Sequence, residues 1–258
     1  MKKSANIAHN AAPAIALLFL LFLWEFGVRF YEIKPWILPG PVKVLSSLIK
    51  EHNLLLMHTG ITLFEALTGF LLAVILAFIT AFLLTHVEWL NRAFYPLLII
   101  SQTVPLIVLA VLFTLWFGWG LTPKIIIVVL VCFFPVTINF IEGINSVDPD
   151  QVHLFRSMGA NKWTIFRLVK LPSALPAFFS GLRIAATYSI MAAVIGEWLG
   201  AQKGLGYFMT LKQKSFAIDE VLAAVFIICL MSFLLVKAVD FLEYIMLPWN
   251  RINENGKY

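Results

Sequence analysis

Charged side chains are scarce in this sequence. Aspartate, glutamate, lysine and arginine make up 13% of its 258 residues, whereas residues of the AVILMFWYC set make up 61%. An ordinary soluble domain has about 25% charged residues, and the polar shell that so few charges can form would not cover this much apolar surface. The scarcity therefore excludes an ordinary soluble domain and indicates that lipid covers much of the chain.

The residue patterns of common catalytic and metal sites are also absent. The five histidines have no ligand spacing, and Cys132 and Cys229 lie in apolar runs, so we expect no metal site and no disulfide. There is no Ser-His, paired-Asp or His-Glu-x-x-His pattern, which argues against an intramembrane enzyme. There is no G-x-x-x-x-G-K-[ST], so an ATPase's phosphate cradle and Mg²⁺ ligand are missing. We expect a non-catalytic chain without a cofactor of its own.

Long apolar stretches are abundant, and six have the length of a membrane-spanning helix. They cover residues 13–31, 62–84, 94–117, 124–141, 177–199 and 220–247. Strand-like alternation does not recur, and no basic stripe with interleaved aromatics indicates nucleic-acid binding. The sequence therefore predicts an all-α polytopic membrane protein, with residues 1–258 forming a single transmembrane domain.

The distribution of basic residues favours one orientation weakly. With the N-terminus inside, the inner segments would hold Lys2, Lys3, Arg92, Arg156, Lys162, Arg167, Lys170, Arg251 and Lys257. The outer segments would hold Lys34, Lys43, Lys50, Lys203, Lys212 and Lys214. Inner segments of membrane proteins carry an excess of lysine and arginine. We therefore predict that both termini, and the loop at residues 148–172, are cytoplasmic.

This loop, residues 148–172, contains strong helix-boundary signals. Asp148 can cap a first helix that has Pro149 at its first position. Gly159 can adopt the left-handed conformation that ends a helix, and Asn161 can cap a second one. Pro172 is expected to end the second helix. The loop is therefore predicted to be two short helices joined by a glycine turn.

The second predicted helix has one apolar patch, formed by Ile165, Leu168 and Val169. A helix pair of this size cannot bury such a patch by itself. It must pack against the rest of the chain, lie on anionic lipid, or dock into a partner protein. The spacing alone does not distinguish lipid from a partner.

Polar residues inside the predicted spans are the candidates for a solute pathway. Gln102 and Thr103 precede Pro105 in the third span, where a proline frees backbone groups that are tolerated in a bundle interior. Tyr188 and Ser189 lie in the fifth span, and the Tyr188 ring can stack on an aromatic solute. For all four residues, packing or hydrogen bonding between helices is the alternative interpretation.

Two further sites involve carboxylates. Glu25 and Arg29 have the spacing of a helical ion pair, which indicates either a gate or a mutually neutralised pair. Glu197, at the outer end of the fifth span, is either a contact for the solute or its binding protein or an exposed interfacial carboxylate.

The loop resembles the cytoplasmic "EAA" loop of permease subunits of bacterial ATP-binding-cassette importers. That loop reads E-A-A, three residues, Gly, nine residues, Ile, one residue, Leu-Pro. Here Gly159 matches the glycine, Val169 stands for the isoleucine, and Leu171 and Pro172 match the ending. The EAA triplet is replaced by His153, Leu154 and Phe155.

The resemblance covers roughly residues 36–250. It includes the stretches ILPGPVKV, EALTGFLLA, LFTLWFGWG, SVDPDQ and GEWLGAQKGLGYFM. These are similar to the subfamily that imports nitrate, sulfonates, taurine and the pyrimidine precursor of thiamine. The last stretch, followed by KQKSFA, looks most like the permeases for the pyrimidine precursor.

The resemblance implies a type I importer permease in a bacterial cytoplasmic membrane. Two permease copies would pair as a homodimer, and each loop would dock on a separate ATPase subunit that binds ATP and Mg²⁺. An extracytoplasmic binding protein would deliver a small polar organic or anionic solute. The residues implied in ATPase coupling are His153, Phe155, Arg156, Gly159, Ala160, Trp163, Leu171 and Pro172.

Two other classes of protein are alternatives. An ion-coupled secondary transporter needs ionisable residues in the middle of its spans, whereas the few present here lie near span ends. A structural membrane scaffold would leave the two-helix loop without a purpose.

Overall fold

The computed structural model describes the backbone of residues 2–249 and the side chains of residues 15–249. Within that part the chain is helical and contains no strand. The helices are α1 (Lys2–Phe30), α2 (Pro41–Lys50), α3 (His52–His86), α4 (Glu88–Ser101), α5 (Leu106–Phe117), α6 (Leu121–Asn145), α7 (Pro149–Ser157), α8 (Lys162–Ile165), α9 (Leu171–Trp198), α10 (Leu205–Lys214) and α11 (Ile218–Met246). The basic residues at both termini lie outside the described side chains, so the orientation stays a prediction.

Four continuous helical segments in the described part are long and apolar enough to cross a membrane. They are α3, α6, the segment Lys162–Trp198 and α11, and the bent pair α4 and α5 makes a fifth if it is one span. Helix α1 contains most of the predicted first span, residues 13–31. The prediction of an all-α, multi-pass membrane protein is therefore confirmed.

The third predicted span, residues 94–117, is not one continuous helix. Helix α4 ends at Ser101, α5 begins at Leu106, and the two helices are bent by 100°. Pro105 lacks an N–H and disfavours helical geometry at the residue before it, which explains why the helix cannot run through this point. The break separates the two halves and exposes the polar residues between them.

The predicted end of the second loop helix at Pro172 is wrong. Helix α8 continues through a π-helical segment, Phe166–Lys170, directly into α9. The N–H of Leu171 bonds to the carbonyl of Phe166, five residues earlier. Because a proline ring crowds the carbonyl four residues before it, a wider turn at this point lets the helix continue past Pro172 and Pro176.

Helices α6 and α9 form the centre of the bundle and approach each other closely. A Cβ atom at Gly181 of α9 would lie 2.8 Å from the carbonyl oxygen of Pro135, and one at Gly143 of α6 would lie 2.8 Å from the Ala177 Cβ. Small residues at such crossings are typical of membrane helix packing. Helices α3 and α11 complete the core around this pair.

The predicted pair of Glu25 and Arg29 is present. The Arg29 Nε donates to Glu25 Oε1 at 2.6 Å, and the second oxygen of Glu25 accepts the backbone N–H of Val42 at 3.1 Å. Val42 lies in the first turn of α2. The carboxylate therefore joins α1 to the N-terminus of α2, where a negative charge is favourable.

Candidate functional site

The loop between α6 and α9 has the two-helix form predicted from its sequence. A carboxylate oxygen of Asp148 accepts the backbone N–H of Asp150 at 2.9 Å, and Oδ1 of Asn161 accepts the backbone N–H of Thr164 at 2.8 Å. Gly159 has a φ of +82°, in the left-handed region. Both caps and the glycine turn are therefore confirmed.

This unit exposes large apolar and basic side chains. We call these residues the loop surface: His153, Leu154, Arg156, Met158 and Trp163. Leu154, Met158 and Trp163 are 59%, 74% and 56% exposed. Of the other residues implied in coupling, Gly159 is exposed, while Phe155, Ala160, Leu171 and Pro172 are half-buried. Exposed apolar groups of this size on a segment outside the membrane-spanning helices mark an interaction surface.

The face that packs against the bundle differs from the predicted patch. Ile165, Phe166 and Val169 are buried, whereas Leu168 is 58% exposed. The prediction assumed a period of 3.6 residues, but the segment from Phe166 to Lys170 is π-helical. The wider turn changes which residues share a face, so Leu168 points outward and Phe166 points inward.

A cavity of about 510 Å³ lies beside the break between α4 and α5, against α6 and α9. Its polar lining comes from Ser101, Gln102, Asn139 and Tyr188, and the rest of its lining is apolar. No aspartate, glutamate, lysine or arginine lines this cavity in the described part of the chain. Its volume and mixed lining are typical of a site for a small ligand.

The predicted pathway residues fall into two groups. Gln102 and Tyr188 line the cavity, whereas Thr103 is exposed at the helix break and donates to the carbonyl of Ile100 at 2.7 Å. Ser189 is buried, donates to the carbonyl of Ala186 and does not line this cavity, and its assignment to the pathway stays a prediction. The side chains of neighbouring residues in a helix point about 100° apart. Tyr188 therefore faces the cavity while Ser189, the next residue, does not.

The position of Glu197 corrects one of its two interpretations. Its side chain is 1% exposed, so it is not an exposed interfacial carboxylate, and a contact with the solute or its binding protein stays a prediction. Oε1 accepts the hydroxyl of Thr62 at 2.7 Å, and Oε2 accepts the backbone N–H of Gly206 at 2.5 Å. The segment between α9 and α10 folds back over the end of α9 and covers the carboxylate.

Glu197 belongs to a buried polar cluster, which consists of His58, Thr62, Glu65, Lys124 and Glu197. The Lys124 ammonium donates to Glu65 Oε1 at 2.6 Å, with both side chains out of solvent. The backbone N–H groups of Gly204 and Leu205 donate to His58 Nδ1 and Thr62 Oγ1, both at 2.9 Å.

The buried polar cluster holds the α9–α10 segment against α3 and α6. The roles of Lys124 and of the members on α3 were not predicted from the sequence. A signal was available, because His58, Thr62 and Glu65 recur at intervals of four and three in a mostly apolar helix, which puts them on one face.

Known proteins similar to this chain share its length and architecture. Residues 69–252 match the family described as binding-protein-dependent transport system inner membrane component. The formylaminopyrimidine transport permease ThiX of Halalkalibacterium halodurans is 38% identical over 93% of this chain and 96% of its own length. The riboflavin transport permease RibX of Chloroflexus aurantiacus is 34% identical over 91% and 88%.

More distant matches also include a transport permease and a transporter chain of the same fold. The taurine transport permease TauC of Escherichia coli K12 is 27% identical over 90% of this chain and 86% of its own. A solved amino acid ABC transporter chain has the same fold, with a TM-score of 0.61 at 18% identity over 78% of this chain and 96% of that one. The relatives exclude the ion-coupled secondary transporter. This chain belongs to the family of binding-protein-dependent transport system inner membrane components and is the permease subunit of an ATP-binding-cassette importer.

Proposed function

We propose that two copies of this permease pair, and that each loop surface docks into a cleft of a separate ATPase subunit, which binds the ATP and Mg²⁺. A binding protein delivers the solute from outside. One observation carries this proposal: a capped two-helix unit exposes three large apolar side chains, those of Leu154, Met158 and Trp163. Family membership favours an ATPase over lipid as the occupant.

The charges of the loop specify what kind of cleft it fits. Arg156, Lys162 and Arg167 are exposed, and the positions of the EAA glutamate and alanines hold His153, Leu154 and Phe155. A cleft that is apolar at its centre and carries carboxylates at its rim complements this surface, because unlike charges across an interface favour association. The coupling contact of this chain then depends on apolar burial instead of on a glutamate.

Docking is tested by replacing Leu154 with aspartate. Burying a charge in an apolar interface is unfavourable, so this variant is expected to lose most of the ATPase subunit that co-purifies with the wild-type chain. Leu45→Asp is the matched control, because Leu45 is 58% exposed on the amphipathic helix α2. Equal recovery of the ATPase with wild type and Leu154→Asp would contradict docking at this surface.

We propose further that the solute is a small, uncharged, flat heterocycle that passes through the cavity beside the helix break. The cavity offers an aromatic ring from Tyr188 and amides from Gln102 and Asn139. A sulfonate or nitrate anion finds no cationic side chain in its described lining. The names of the relatives that transport formylaminopyrimidine and riboflavin support the heterocycle.

The solute proposal predicts that Gln102→Leu and Tyr188→Ala raise the KM for uptake of a labelled aminopyrimidine. A lost hydrogen bond or ring contact is worth about 0.5–1.5 kcal/mol, which corresponds to roughly 2- to 10-fold in affinity. Thr103→Val is the control and is expected to leave KM unchanged. The measurement is uptake by the assembled complex, and faster uptake of taurine than of the aminopyrimidine would contradict the proposal.

A further inference from the structure

Phe166 connects the loop to the inner half of the bundle. It is 4% exposed and belongs to a buried apolar cluster at the end of the core next to the loop. The other buried members of this cluster come from α3, α6 and α9, namely Ala81, Leu84, Phe140, Ile141, Ile144 and Ala174. Phe166 is therefore one of the side chains through which a displacement of the loop reaches the packed core.

A continuous set of ring contacts runs from the loop surface to the end of α3. The exposed Trp163 ring stacks on Phe166, with centroids 5.8 Å apart and an interplanar angle of 23°. Phe166 contacts the rings of His86 at 4.8 Å and Phe82 at 5.3 Å, both near edge-to-face. The His86 and Phe82 rings are 4.2 Å apart, and His86 Nδ1 lies 2.8 Å from the Phe82 carbonyl oxygen, which fixes the imidazole on its own helix.

One covalent connection from the loop to the bundle runs from α8 into α9 through the π-helical segment Phe166–Lys170. Segments of this kind are frequent at functional bends, so we expect part of any loop movement to be absorbed there. Close-packed side chains, by contrast, transmit displacement because packed interiors have low compressibility.

We propose that Trp163, Phe166, Phe82 and His86 form an aromatic relay that transmits movement of the docked loop to α3, and that Phe166 is a positioning residue for coupling. This inference rests on the proposed docking of the loop on an ATPase. Helix α3 has 35 residues, or about 50 Å at 1.5 Å per residue. It carries the aromatic relay at His86 and the buried polar cluster at His58, Thr62 and Glu65.

The consequence is a mechanical route across the membrane. Movement of α3 changes the contacts of Thr62 with Glu197 and of His58 with Gly204, which hold the α9–α10 segment. ATPase closure on one side is thereby linked to the outer segment on the other side. The two groups of contacts lie at opposite parts of one rigid helix, so no further connecting element is needed.

The test compares Phe166→Leu with Phe179→Leu in the complete complex with its ATPase subunit and binding protein. Both phenylalanines are buried, but Phe179 belongs to the main core cluster, away from the loop. Leucine keeps the buried apolar volume approximately and removes the ring. Co-purified ATPase, ATP hydrolysis and uptake of a labelled aminopyrimidine are measured on the same preparations, and coupling is uptake divided by ATP hydrolysed.

We expect Phe166→Leu to retain the ATPase and its ATP hydrolysis while coupling falls at least 10-fold, and Phe179→Leu to retain the wild-type ratio. His86→Phe, which preserves the ring contact, is expected to keep coupling that His86→Leu loses. Equal ratios of uptake to ATP hydrolysed in Phe166→Leu and Phe179→Leu would overturn the relay. Loss of the ATPase from Phe166→Leu would also overturn it, because Phe166 would then be a docking residue. A wild-type chain that retains no ATPase would reject the proposed docking itself.

Discussion

Replacing Lys124 alone with methionine is expected to lower the free energy of unfolding by about 3–5 kcal/mol. The substitution removes the ion-pair partner of the Glu65 carboxylate and leaves that group buried, because Glu65 is fully out of solvent. A buried charge without a partner is costly. The expected result is a large fall in the thermal midpoint of unfolding, measured by intrinsic fluorescence on the purified protein in detergent.

Two further variants separate this cause from general damage. Replacing Glu65 and Lys124 together with methionine removes both charges, and such replacements are often neutral or stabilising, so the double variant is expected to recover most of the loss. Arg92→Met breaks an exposed ion pair with Glu88 and is expected to change the midpoint little. A double variant as unstable as Lys124→Met would contradict the account.

Gly159→Val is expected to abolish transport while leaving the membrane domain folded. A Cβ at this position meets no atom within 4 Å, so the effect arises from the backbone and not from crowding. At a φ of +82°, a side chain costs about 1–2 kcal/mol, and a β-branched one costs more. The loop relieves that strain by changing its turn, which moves α7 relative to α8 and disrupts the loop surface.

A graded series at this position makes the prediction specific. Asparagine tolerates the left-handed region, so Gly159→Asn is expected to retain most uptake, Gly159→Ala less, and Gly159→Val less than a tenth. Gly60→Val is the control, since Gly60 also has open space around its Cβ position but lies in α3 without a positive φ. Uptake by Gly159→Val equal to that of the wild type would show that the turn geometry is not required.

Local signals in the sequence were sufficient to predict the two helix caps and the glycine turn of the loop. Asp148, Gly159 and Asn161 act on backbone groups within a few residues of themselves, so their roles follow from residue type and spacing. Five of the six predicted spans also fall on helices with similar bounds or inside longer ones, because apolar length is sufficient to identify them.

Contacts between distant segments were not predictable in this way. Glu197 looked like an interfacial carboxylate, but Thr62 and Gly206, at sequence separations of 135 and 9, bury it. Leu168 was predicted to belong to the apolar patch but is exposed, and Phe166 is buried in the patch instead, because a π-helical segment changed the helical period. The interruption of the helix before Pro105 was predictable from the proline itself. The 100° angle between α4 and α5 was not, because it depends on how the two helices pack against the bundle.

The central claim is that this permease moves solute only when a separate ATPase acts on its loop. The most direct measurement is uptake of a labelled aminopyrimidine into vesicles that contain the chain alone, or the chain with its ATPase subunit, ATP and binding protein. The account predicts no uptake by the chain alone, with or without an ion gradient, and uptake by the complete complex. Robust uptake by the chain alone, driven by an ion gradient, would contradict it.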